Sequence, residues 1–216
     1  MKDSREIILN RVRSALISAG TSLPENLGPT PEEILPPGLD LVKRFKEHWQ
    51  ASTGIFHRAR SARGLTQIMA KILGPARGKT VMAASSFNDL MPEFDGIVQK
   101  LELRIATEPE EFPSVEVGLT GAELALAYSG TIMVTSDNKL DLTASLLPPT
   151  HVALIPRSRL VHHIGQAFEH LNKNKNSPPR AAAFISGPSK TADIQLTIVY
   201  GVHGPGQAHA VILDYE

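Results

Sequence analysis

From Gly54 onward, short apolar runs alternate with stretches of helical periodicity, and this alternation restricts the chain to an α/β architecture more firmly than any other feature. The runs "TVMAA" (80–84), "LRIAT" (103–107), "VEVGL" (115–119), "GTIMVT" (130–135), "HVALIP" (151–156), "AAAFIS" (181–186) and "HAVIL" (209–213) read as strands. Helices are predicted over 65–73, 92–100, 159–172 and 190–200. Strands joined through helices are usually parallel, because a parallel pair needs a long crossover. The expected fold class is therefore α/β, a mixed, mostly parallel sheet with helices on both faces. Such sheets place ligands beyond the carboxyl ends of their strands.

The segment before this alternation has another character. Ile7, Ile8, Val12, Leu16 and Ala19 recur at helical spacing after Ser4, predicting an amphipathic helix over 5–19 with Ser4 as N-cap and Gly20 as its end. Pro24, Pro29, Pro31, Pro36 and Pro37 then favour a stiff, extended linker. A second helix over 39–51 aligns Leu41, Val42, Phe45 and Trp49 on one face. The expected division is residues 1–38 as N-terminal helix and proline-rich linker, and 39–216 as the α/β domain. Exchange of the first helix between subunits, giving a homo-oligomer, is an expectation of that division. Between Asn172 and Arg180, "NKNKNSPPR" reads as a polar surface connection.

Composition excludes several function classes. Twenty-two basic residues balance 22 acidic ones, and the aromatic residues are only 7 Phe, 3 Tyr and 1 Trp, which argues against a nucleic-acid or membrane-surface partner. With 0 cysteines the chain cannot form a disulfide or hold an iron–sulfur cluster by itself. Charges at Lys2, Asp3, Arg5, Glu6, Arg11 and Arg13 interrupt any signal-peptide-like run, and no stretch approaches the roughly 20 apolar residues of a membrane span. The expected location is the cytoplasm.

Three stretches carry residues suited to chemistry. "GLTGAELALAYSGTIMVTS" (118–136) combines Glu123, a candidate general base, with Ser129, Gly130 and Thr131, where hydroxyls and an approachable backbone suit a polar ligand. In "LLPPTHVALIPRSRLV" (146–161), His151 opens a strand, a position where a lone histidine is expected at the surface or in a supporting role. "ISGPSKTADIQLTIVYGVHGPGQ" (185–207) joins the last strands. Here Ser186, Gly187, Pro188, Ser189 and Thr191 surround the expected start of the 190–200 helix, whose free N–H groups would suit a carboxylate or phosphate. Asp193 falls in that helix's first turn, and His203 follows its end. Neither glycine of a nucleotide P-loop is in place, so nucleotide hydrolysis is unsupported. His203 and His209 have no third ligand nearby in sequence, so no metal site is expected.

The joint pattern "LTGAELALAYSGT", "LLPPTHVALI" and "ISGPSKTADIQ…GVHGP" resembles the LUD-domain family over roughly Leu39 to Glu216. The family's usual middle motif has an acidic residue where this chain has Tyr128. The resemblance implies a fold similar to the CoA-transferase, ribose-5-phosphate isomerase and sugar-phosphate deaminase group. It also implies a part in oxidising L-lactate to pyruvate beside two partners that carry iron–sulfur ligands. With no cysteine, this chain would hold no cofactor of its own, and clusters would sit on the partners alone.

Three functional readings follow. The first is a non-redox subunit of a lactate-oxidising system that binds a small carboxylate or other anion near Glu123, Ser129–Thr131 and Ser186–Asp193. The second is a free-standing transferase or isomerase acting on a phosphorylated or CoA-linked metabolite, with Glu123 as nucleophile or base and His203 as acid. The third is a binding or regulatory module without catalysis.

Overall fold

The computed structural model describes residues 2–18, 38–136, 139–173, 178–194 and 197–215. Its contacts divide the chain into Met1–Pro37 and Gly38–Glu216. The first unit holds helix α1 (Lys2–Ser18), on which Ile7, Ile8 and Val12 are exposed. Because α1 already begins at Lys2, Ser4 lies inside its first turn and is not its N-cap. The expected linker falls, from 19 to 37, outside the described residues, as does the core of the polar connection, 174–177.

The second unit opens with α2 (Leu41–Ala51). Asp40 caps it by accepting from the Val42 and Lys43 N–H groups at 3.0 and 3.2 Å. Val42, Phe45 and Trp49, spaced to share one face, are its buried residues. Next come β1 (Ile55–Ala59), α3 (Ala62–Leu73), β2 (Thr80–Ala83), the single turn α4 (Ser85–Asn88), α5 (Phe94–Leu101), β3 (Arg104–Ile105) and β4 (Val115–Gly121). Ser61 caps α3 by accepting from Gly64 N–H, which starts that helix three residues earlier than its apolar spacing indicates. The chain continues through β5 (Leu124–Leu126), β6 (Thr131–Ser136), α6 (Lys139–Leu146), β7 (Thr150–Pro156), β8 (Leu160–Val161), α7 (Ile164–Lys173) and β9 (Ala181–Ile185). It ends with β10 (Lys190–Ile194), β11 (Thr197–Tyr200) and β12 (Gln207–Leu213).

Six strands form a wholly parallel sheet in the order β1-β12-β7-β4-β2-β3. Both faces are covered, as the nearly continuous apolar runs of its central strands require. Val117, Leu119, Val152, Leu154 and Val211 pack on one side with Leu65, Met69 and Leu73 of α3 and Ile97 of α5. On the other side, Ala153, Ile155, Ala210 and Ile212 meet α2 and the inner residues Ala125, Ile132 and Val134 of a second sheet. That second sheet, ordered β8-β5-β6-β9, carries the antiparallel pairings β5–β6 and β6–β9. Helix α7 packs on its far face through Ala167 beside Leu124, Leu126 and Met133.

The stretch expected as a helix over 190–200 is instead an antiparallel hairpin, with Lys190 opposite Tyr200 and Thr191 opposite Val199. Thr197, Ile198, Val199 and Tyr200 form a run of β-branched and aromatic residues that favours extended backbone, and pairing with β10 prevails over the helical spacing. The helix expected over 159–172 is also corrected. A short 3-10 turn at Arg157–Arg159 and strand β8 come first, and α7 begins only at Ile164. No helix among the described residues is long and apolar enough to cross a membrane.

Candidate functional site at the end of helix α2

Three hydroxyls from two distant segments converge beside the second half of α2. Thr131, buried at the start of β6, lies with its Oγ1 2.7 Å from Ser129 Oγ and 2.7 Å from Ser186 Oγ. The convergence follows from pairing: β6 runs antiparallel to β9, with Ile132 opposite Ile185, so the residues just before β6 and just after β9 share one end of the sheet. Three hydroxyls carry three protons, and the two contacts within the trio use two of them. One O–H is left to donate outward to an acceptor.

Glycines press this end of the sheet against α2. Gly130 has φ +60°, and a Cβ there would lie 2.4 Å from the backbone N of Trp49. Gly187 has φ +98°, and its Cβ would lie 2.8 Å from the Ser52 carbonyl oxygen. Both positions combine a left-handed backbone with a closeness to α2 that a side chain would prevent.

Helix α2 also supplies a cation. The Arg44 guanidinium lies over the Tyr128 ring, 5.8 Å from its centroid, and the His48 ring stacks on the same tyrosine at 6.4 Å. Arg44 Nε is buried without a hydrogen-bond partner, and among the described residues no carboxylate pairs with this side chain. Tyr128 N–H donates to the His162 carbonyl, and His162 Nδ1 is likewise buried without a partner. An arginine fork suits a planar carboxylate, to which it donates two hydrogen bonds, and a free hydroxyl can donate to the same group. Arg44, His48 and His162 are absent from the sequence-derived candidates. The helical spacing of α2 marks its buried face only, and nothing local joins residue 44 to residue 128.

The remaining candidates are placed differently. Glu123 lies at the opposite end of β5 from Ser129, where its Oε1 is 2.6 Å from His170 Nε2 on α7. The anion cradle expected at 186–191 needs a helix that the hairpin replaces. The Ser189 N–H is in any case committed to the Pro205 carbonyl at 2.8 Å, and Pro188, which is buried, has no N–H. Thr191 pairs with Val199 within the hairpin. The backbone of Asp193 lies toward the hairpin tip, whereas His203 is exposed beyond its base, so the two sit at opposite ends. Of the sequence candidates, the structure thus brings together Ser129, Gly130, Thr131, Ser186 and Gly187. At the carboxyl edge of the main sheet, Asp214 is already held by Arg58 and Arg157, the latter at 2.5 Å, and both guanidiniums keep its carboxyl below the usual range.

His151 is in the core and not at the surface. Its Nε2 is 2.8 Å from Thr120 Oγ1, and burial, with a smaller push from His209, holds its pKa down at about 3. His209 is held down at about 4 by burial and then by His57. Both rings titrate below the ordinary 6.5, so between these values the folded chain binds fewer protons than the unfolded chain. Their effect on stability is nil above pH 6.5 and increasingly unfavourable as pH falls below it. Urea unfolding at pH 7.5 and pH 5 is expected to show a loss on the order of 2 kcal/mol from His151 alone. An unchanged midpoint would contradict the neutral buried assignment.

A family model described as the LUD domain matches residues 42–213, from α2 to the end of β12. The chain belongs to the LUD-domain family. Among the relatives of this LUD domain, a Neisseria meningitidis protein named uncharacterized protein NMB1437 is 34% identical over 161 residues, 74% of this chain and 65% of that protein. Lactate utilization protein C of Shouchella clausii is 39% identical over 107 residues, covering 49% of this chain and 47% of the relative. Lactate utilization protein C of Bacillus subtilis is 37% identical over 101 residues, covering 45% and 42%. The chain thus spans less than half the length of these two lactate utilization proteins. A crystal structure of a DUF162 family protein from Deinococcus radiodurans superposes with a TM-score of 0.60 over 80% of this chain and 96% of that one. At 19% identity that likeness concerns the fold.

Proposed function

We propose that this LUD domain is the non-redox member of a cytoplasmic L-lactate-oxidising system and holds a small carboxylate between Arg44 and the hydroxyls of Ser129, Thr131 and Ser186. The observation that carries the reading is the Arg44 guanidinium, with a buried, unpartnered Nε, lying over Tyr128, the residue that precedes Ser129 of a hydroxyl trio that retains a donor. The names of several relatives support the metabolic assignment. Zero cysteines support the division of labour: electrons leaving lactate would pass to iron–sulfur partners, and this chain would bind and orient. The transferase or isomerase reading takes Glu123 as nucleophile or base and His203 as acid; Glu123 is engaged by His170 and lies at the other end of β5 from the hydroxyls.

Calorimetric titration tests the binding step. L-Lactate or pyruvate should bind saturably, and Arg44→Gln and Thr131→Val should each weaken binding about tenfold, the equivalent of one charge-assisted or buried hydrogen bond. Saturable binding unchanged in both variants would remove this site from the proposal.

A further inference from the structure

On the α3 face of the main sheet, at the amino ends of β1, β12, β7 and β4, a cleft of about 560 Å³ lies apart from the α2 site. Its volume falls within the range of small-molecule sites, roughly 300–1,000 Å³. Ile72 and Val117 give it an apolar wall, while His57, His209, Lys71 and Lys79 supply polar groups. Glu116 is the one carboxylate-bearing residue among its described walls. Among the described residues neither lysine forms an ion pair. A chain of zero net charge thus gathers a local excess of positive charge inside a concavity, where low-dielectric walls strengthen its field.

The two histidines form a unit. Their rings are nearly parallel, inclined by 7° with centroids 5.3 Å apart, and His57 Nε2 lies 3.0 Å from His209 Nδ1. When both are neutral, one N–H is used within the pair, and its outer nitrogens present one donor and one acceptor. One added proton makes both outer nitrogens donors.

We propose that this cleft is a second binding site, for a small organic anion whose apolar body rests on Ile72 and Val117 and whose charge meets Lys71, Lys79 and the His57–His209 pair. Binding draws a proton onto the pair. Burial and the Lys71 charge hold the His57 pKa below its ordinary value, and an anion in the cleft screens that charge and stabilises the imidazolium. The groups that set the response are His57 on β1, His209 on β12, Lys71 on α3, Lys79 before β2 and Glu116 on β4. His151, on the opposite face of the sheet, also senses the charge of His209.

Benzoate combines an apolar body with a carboxylate, and benzyl alcohol has the body without the charge. The full chain is titrated with each while the ring resonances of His57 and His209 are followed by NMR. Benzoate should shift both rings saturably and bind several-fold more tightly at about pH 6 than at about pH 8, because proton uptake accompanies it. The Lys71→Gln, Lys79→Gln double variant should lose about tenfold in benzoate affinity. Thr131→Val, which alters only the α2 site, should leave benzoate affinity at this cleft unchanged, so failure of one site is distinguishable from failure of the other. Equal affinity for benzyl alcohol, pH-independent binding, no saturable ring shift, or full affinity in the double variant would overturn the proposal.

Discussion

Trp49→Ala is expected to lower the free energy of unfolding by about 4 kcal/mol, the cost of a large cavity in a closed core. Trp49 is fully buried and stacks on Phe45 with ring centroids 5.8 Å apart. Its Nε1–H donates to the Ile55 carbonyl at 3.1 Å, and Gly54 passes so near that a Cβ there would lie 2.3 Å from Nε1. Its backbone N is the atom against which Gly130 packs. One residue therefore joins α2 to the first strand of the main sheet and to the turn that carries Ser129 and Thr131. Trp49→Phe keeps most of the volume and loses the hydrogen bond, so a cost of about 1–2 kcal/mol is expected from it. Denaturant titration of both variants checks the ordering, and a loss below about 1 kcal/mol for Trp49→Ala would contradict the linking role.

The α/β class was legible because burial on both faces makes parallel strands apolar throughout, and "VEVGL", "HVALIP" and "HAVIL" show it directly. β1 was harder to see, since "IFHRA" carries His57 and Arg58 on an edge strand that is mostly exposed or half-buried. β5 and β8 have only three and two residues, too few for a period to register. The hairpin at 190–200 shows the limit of helical spacing as a signal, because a long-range arrangement fixes its base: Ser189 N–H bonded to Pro205, and Gly201 N–H to Ser189. The site was half legible. Ser129, Thr131, Ser186 and the two glycines announce themselves as polar and small groups in turns. Arg44 does not, because a charged residue on a helix ordinarily reads as solvated, and only the fold lays it across Tyr128. At Tyr128 the aromatic face meets the guanidinium without neutralising it.

The largest functional effect is expected in the cell. A lactate-oxidising system that depends on this chain leaves L-lactate unused when the chain is lost, yet leaves the use of pyruvate, the oxidised product, intact. The most direct measurement is growth of a deletion strain on L-lactate and on pyruvate as alternative sole carbon sources, complemented with the wild-type chain or with Arg44→Gln. The predicted result is no growth on L-lactate without the chain, full growth on pyruvate, rescue by wild type and little rescue by a normally folded Arg44→Gln. Normal growth of the deletion strain on L-lactate, in a background with no second lactate-oxidising route, would contradict it.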